Sequence, residues 1–153
     1  MVKTTSSFNR DANFVPITTD GLITKKAVTF SNVAGGGATG TVDLFTVTGM
    51  VYAKVIGICS VDLVGAATLS VGVTGSTALC LAQIADATTL GAGEIYADAT
   101  ATIFKIVTAL IPPENVVTTA IFATVGATNI TAGEVDFYCI WRPISSDGNV
   151  VAA

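Results

Sequence analysis

The stretch GEVDFYCIWR, residues 133–142, sorts its side chains into two alternating sets. Val135, Phe137, Cys139 and Trp141 fall on one side of an extended chain. Glu134, Asp136, Tyr138, Ile140 and Arg142 fall on the other. A period of two predicts a strand, with the first set in a core. The second set starts charged and ends with Tyr138 and Ile140, so the outward face turns apolar partway along.

The same pattern recurs on either side. In 66–73, Ala67, Leu69, Val71 and Val73 point one way, and Ala66, Thr68, Ser70 and Gly72 the other. Residues 50–61 place Val51, Ala53, Val55, Cys59 and Val61 on one face, with Met50, Tyr52, Ile56 and Ile58 opposite. Residues 100–108 set Ile103 and Val107 against Phe104 and Ile106. Further runs rich in Val, Ile, Thr and Phe occupy 26–33, 41–48, 77–85 and 115–125. Glycine or proline turns separate them, among them Gly35-Gly36-Gly37, Gly49, Gly75, Pro112-Pro113 and Asp147-Gly148. About eight strands so punctuated are the signature of an antiparallel sandwich or barrel. No 3.6-residue apolar stripe appears, although 85–90 has room for a short helix. The expected fold is all-β: an antiparallel sandwich of jelly-roll type over residues 26–153, preceded by an extended arm, residues 1–25.

An isolated sandwich should be polar outside. Tyr52, Ile56, Ile58, Phe104, Ile106, Tyr138 and Ile140 break that rule, and packing between copies about a symmetry axis is the expected cover. Composition agrees. The 153 residues suit one domain, but 51% are hydrophobic and only 12% charged, about half the usual charged share. So little charge implies that other subunits cover part of the surface.

The longest uncharged run, Leu63 to Ala85, could span a bilayer by length. It is interrupted by Gly65, Gly72 and the Thr74-Gly75-Ser76 turn signal and is flanked by period-two alternation, so no membrane helix is expected. No secretory signal is read at the N-terminus, and synthesis in the cytoplasm is the expectation. Cys59, Cys80 and Cys139 are odd in number, widely spaced and inside strands. They are expected to be buried free thiols, with one disulfide left open.

Chemistry is sparse. There is no histidine, which removes Ser-His-Asp and Cys-His nucleophilic sites and most zinc and copper sites. Glu134 with Asp136, and Glu94 with Asp98, are carboxylate pairs that could serve acid-base work or calcium. Neither lies in an EF-hand-like loop, and a solvated strand face is the expected reading. Gly35-Gly36-Gly37-Ala38-Thr39-Gly40 lacks the lysine and helix of a phosphate loop and reads as a hairpin loop. No catalytic residue, metal site or cofactor is expected.

Residues 1–26 carry Lys3, Arg10, Lys25 and Lys26 against Asp11 and Asp20. The remainder carries Lys54, Lys105 and Arg142 against nine acids. A basic leader on an acidic body argues against nucleic acid as the body's partner. The leader holds Phe8, Phe14, Val15 and Ile17 in no regular period, with Pro16 among them. Each apolar side chain is worth about 1.5–3 kcal/mol when buried. Ordering an arm costs about 1–2 kcal/mol per residue, so anchors of this kind are required. Arg10, Asp11 and Asn13 could fix register. Extended, the arm reaches on the order of 80 Å, enough to cross a neighbouring subunit.

"NRDANFVPI" (9–17) resembles an N-terminal motif of small virion proteins of tailed bacteriophages. "TVDLFTVTGMVYAKVIGIC" (41–59), "AATLSVGVTGSTA" (66–78), "AGEIYADAT" (92–100) and "EVDFYCIWRPISSDGNVV" (134–151) are similar to the same family of phage structural proteins. Phe14 stands where that motif carries a basic residue. The resemblance implies a virion component without placing it on shell or tail. The expected function is a non-enzymatic decoration or cement protein on the outer capsid surface, bound to the major capsid protein and to itself, most naturally as a homotrimer. The alternative is a tail- or fibre-associated module that stacks host glycan on Trp141, Tyr52, Tyr96 or Tyr138, although Trp141 falls on the expected core face.

Overall fold

The computed structural model describes residues 21–100, 102–103 and 112–153. Among them the strands are β1 (Leu22–Thr29), β2 (Gly40–Thr48), β3 (Val51–Val64), β4 (Thr68–Val73), β5 (Ser76–Ile84), β6 (Glu94–Tyr96), β7 (Thr102–Ile103), β8 (Asn115–Val117), β9 (Ile121–Gly126), β10 (Ala132–Pro143) and β11 (Asn149–Ala152). One 3₁₀ turn, Ala87–Thr89, occupies the stretch that had room for a helix. The first sheet runs β1-β10-β3-β6-β7, with β8 also paired to β3; the second runs β11-β2-β9-β4-β5. Every strand pairing among the described residues is antiparallel. The all-β sandwich expected from alternation is what the chain forms.

β10 behaves as its sequence predicts. Val135, Phe137, Cys139 and Trp141 are buried, while Glu134, Asp136, Tyr138 and Ile140 are half-buried on the other side. The core lies between the sheets, where Leu44, Phe45, Leu69, Leu81, Ile84 and Ile121 meet Val51, Val55, Tyr96 and Phe137.

Three readings change. The strand expected at 26–33 begins at Leu22 and ends at Thr29, and Val33 sits in the following turn, accepting from the Gly36 and Ala38 N–H groups. Val61, expected inside, is 53% exposed, because the β3–β10 register shifts on both sides of it, once between Cys59 and Val61 and again between Val61 and Val64; the alternation lapses there and resumes with Leu63 inward. The run 115–125 is two strands: β8 joins the first sheet, β9 the second, and 118–120 carry the chain between them.

Two devices tie the sheets together. Tyr96 reaches from β6 across the core, and its hydroxyl lies 2.9 Å from the Leu69 carbonyl and 2.7 Å from the Ala82 carbonyl. There the β4–β5 ladder slips by one residue, between Leu69/Ile84 and Val71/Leu81. At the end of the glycine run, Gly37 is buried with φ +116° and accepts from the Ile130 N–H; a Cβ there would run into the Ile130 carbonyl.

Cys59, Cys80 and Cys139 are free and buried. Burial pushes the thiols of Cys59 and Cys80 up to about 11 and that of Cys139 up to about 12. It raises the Tyr96 hydroxyl as well. Below about pH 9, the ordinary thiol value, these cysteines are neutral both folded and unfolded and add no pH dependence. Above it the unfolded chain ionises first, so stability should fall as the pH climbs from about 9 towards 11. Denaturant midpoints at pH 7.5 and 10 would show this, and native-state thiol titration at pH 8 should find no reactive group until the protein unfolds.

Candidate functional site: the outer face of the first sheet

The outward side of β1, β10 and β3 is where the apolar surplus collects. Register places Tyr138 between Lys25 and Ile56, and Ile140 between Ile23 and Lys54. Asp136 lies between Ala27 and Ile58, Arg142 beside Tyr52, Tyr52 beside Val116, and Ile58 beside Ile95. The result is one band across five strands, β1, β10, β3, β6 and β8. Ile23 is 67% exposed, Val116 51% and Tyr52 43%, while Ile56, Ile58, Tyr138 and Ile140 are half-buried.

Five of the seven residues expected to pack against other copies therefore share this face: Tyr52, Ile56, Ile58, Tyr138 and Ile140. Phe104 and Ile106 lie outside the described residues. So do all the arm residues singled out, namely Phe8, Arg10, Asp11, Asn13, Phe14, Val15, Pro16 and Ile17. The sequence reading missed Ile23, Val116 and Ile95. Ile23 shares a side of β1 with Lys25 and Ala27, but it lies in the stretch assigned to the arm.

Charge on the face is arranged in small local sets. Lys25 Nζ lies 2.7 Å from Asp136 Oδ2 and 5.6 Å from the centre of the Tyr138 ring. Its bond to Asp136 holds the Lys25 ammonium above the ordinary lysine value. Arg142 covers the Tyr52 ring at 5.7 Å and lies 3.3 Å from Glu114, which also faces Lys54 at 3.9 Å. Such exposed pairs add little stability. Their effect is to leave the apolar band with few unpaired charges. Asp136 Oδ1 is buried beside Lys25 and has no hydrogen-bond partner.

The carboxylate pairs resolve into local contacts. Glu134 accepts from Ser60 Oγ at 3.1 Å and from Thr29 Oγ1 at 3.4 Å, next to the bulge. Glu94 accepts from the Gly91 N–H and Asp98 from the Thr100 N–H, each closing a turn. Among the described residues no three His, Cys, Asp or Glu side chains group as metal ligands. No helix there is long and apolar enough to cross a membrane.

Of the four aromatic residues considered for sugar stacking, two are unavailable. Tyr96 is fully buried, and Trp141 is 7% exposed, its Nε1–H donated to Thr24 Oγ1 at 3.0 Å. Tyr52 and Tyr138 remain on the surface. Comparison of the chain with protein-family models, curated proteins and solved structures finds no match.

Proposed function

We propose that the chain is a non-enzymatic virion structural protein: a decoration or cement subunit on the outer capsid surface, held to the major capsid protein by its N-terminal arm and to sibling copies by the outer face of the first sheet. The observation that carries this reading is the continuous apolar band from Ile23 through Ile140, Tyr138 and Ile56 to Ile58 and Ile95. A free monomer has no use for such a band, whereas a symmetric oligomer covers it.

The winding supports the same reading by analogy. We read β1-β10-β3-β6 against β2-β9-β4-β5 as the two interlocked Greek keys of a jelly roll. That architecture recurs in viral capsid and lectin domains; a shared fold is an analogy for function and nothing stronger. Mechanically, several weak contacts per oligomer, each made at high effective concentration once the first has formed, add up to a firm hold. A trimer is the assembly we favour. Residues 1–19 provide the test. Their deletion should lower occupancy on empty shells by about tenfold or more, the equivalent of one buried apolar anchor. Unchanged occupancy would remove the arm from the mechanism.

A second reading, a tail- or fibre-linked module that binds host glycan, draws on Tyr52, whose exposed ring is flanked by Arg142 and Glu114. Glycan binding by the isolated protein that disappears in Tyr52→Ala would favour it over the shell.

A further inference from the structure

Among the described residues, the charges on the outer face of the first sheet are ordered along the strands. Tyr138 marks the middle of the face, with Lys25 and Ile56 beside it in register. Glu134 stands four residues before it on β10 and Arg142 four residues after it. Four positions along a strand are about 13 Å, so an acidic end and a basic end lie equally far from an apolar middle. At the acidic end Glu134 accepts from the hydroxyls of Ser60 and Thr29. At the basic end Arg142 and Lys54 share the one carboxylate of Glu114, which leaves a positive charge in surplus. Nearer the middle, Lys25 and Asp136 neutralise each other through Oδ2, while Asp136 Oδ1 is buried without a hydrogen-bond partner.

We propose that this face pairs with the same face of a second copy of the chain, stacked sheet on sheet about a two-fold axis that crosses the strands at Tyr138. The pairing rests on the reading that sibling copies cover the outer face, and it adds the symmetry and the register. Such an axis keeps β10 over β10 and reverses its direction, so each position meets the one equally far beyond Tyr138. Glu134 then lies over Arg142 of the second copy, and Arg142 over the second copy's Glu134. Asp136 lies over the second copy's Ile140, whose neighbour in register is Lys54. The orphan Oδ1 thereby gains an ammonium that Glu114 holds only loosely, at 3.9 Å.

Tyr138 and Ile56 meet their own counterparts on the axis, with Ile23, Ile140 and Ile58 close around them. Lys25, the charge in that row, is turned back on Asp136 and the Tyr138 ring of its own copy. The other face-to-face two-fold, running along the strands, would stack Glu134 on Glu134 and Asp136 on Asp136, and opposed like charges select against it. Four strand widths by eight residues give a footprint of about 500 Å². With the relief of upright side chains, that comes near the roughly 800 Å² per partner of a stable pair. A reciprocal contact closes with two copies. The trimer favoured above accommodates it where the threefold forms through another surface, which makes a hexamer.

Solution mass, charge reversal and cross-linking together test the two-fold. The free chain should weigh twice 15.5 kDa, or six times that mass as a hexamer. Glu134→Arg and Arg142→Glu should each weaken pairing by roughly 100-fold, since each sets like charges against one another at both ends of the contact. Mixed one to one, the two variants should pair again, because opposite charges then meet at both ends. Tyr138→Cys should be linked copy to copy by a short bismaleimide, with Cys59, Cys80 and Cys139 shielded by burial. Thr29→Cys should not be linked, because its two copies stand roughly 27 Å apart. A mixture as weak as its components would overturn the pairing, as would linkage at Thr29 or none at Tyr138. A bare trimer would overturn the two-fold and leave sibling packing standing; a monomer would remove sibling packing from this face as well. Should a charge variant fail to fold, the two cysteine variants decide.

Discussion

Phe137→Ala should cost about 3–5 kcal/mol of folding stability, the range for emptying a fully buried aromatic position. Phe137 is inaccessible to solvent at the middle of β10, the strand that joins β1 to β3. Its partner in register is Gly57, which also faces Tyr96 from β6. A Cβ at Gly57 would meet the Phe137 ring at 3.3 Å, Tyr96 Cβ at 3.3 Å and Val135 Cγ1 at 3.2 Å. The Phe137 ring, Tyr96 Cβ and Val135 thus close over a glycine, and removing the ring leaves a hole beside a position with no side chain to fill it. Denaturant unfolding should show a lower midpoint with the slope unchanged. A loss below about 1 kcal/mol would mean that the site collapses freely, unlike a close-packed interior.

Tyr96→Phe should cost about 1–3 kcal/mol although it deletes a single oxygen, because the Leu69 and Ala82 carbonyls are then left without their shared donor inside the sandwich. Tyr96→Ala should cost more, since it also removes a fully buried ring. The difference between the two variants separates the hydrogen bond from the packing. A neutral Tyr96→Phe would show that β4 and β5 close their own slipped ladder.

Much of this architecture could be read from single strands. β10 announced its inward residues because all four are apolar, and 66–73 did the same with Ala67, Leu69 and Val71. β1 did not, because its inward side carries Thr24 and Lys26. Thr24 accepts from Trp141 and donates to the Val150 carbonyl, and Lys26 bonds to the Ala153 carbonyl. Polar side chains satisfied that way hide a strand from any hydropathy pattern. Val61 was misplaced because the bulge that turns it out depends on β10, a strand some seventy residues away by simple count. The break inside 115–125 was invisible because both halves favour strand and only the crossing between sheets separates them. β6, three residues long, is too short to show a period. On the outer face, Tyr52, Ile56, Ile58, Tyr138 and Ile140 were visible as apolar residues on the side expected to be polar; Ile23 was masked by its place in a stretch taken for the arm.

The position of β10 has a bearing on how the chain comes into being. The strand that zips β1 to β3 is synthesised after both of them, and its ladder joins Trp141 to Leu22. Until it has left the ribosome, β1 and β3 have no neighbour between them, and their greasy sides wait uncovered. Pairings this distant in sequence form slowly, and waiting hydrophobic strands are prone to clump. A nascent chain stalled before residue 143 should therefore be a client for chaperones, and the first sheet closes only once β10 is free to pair.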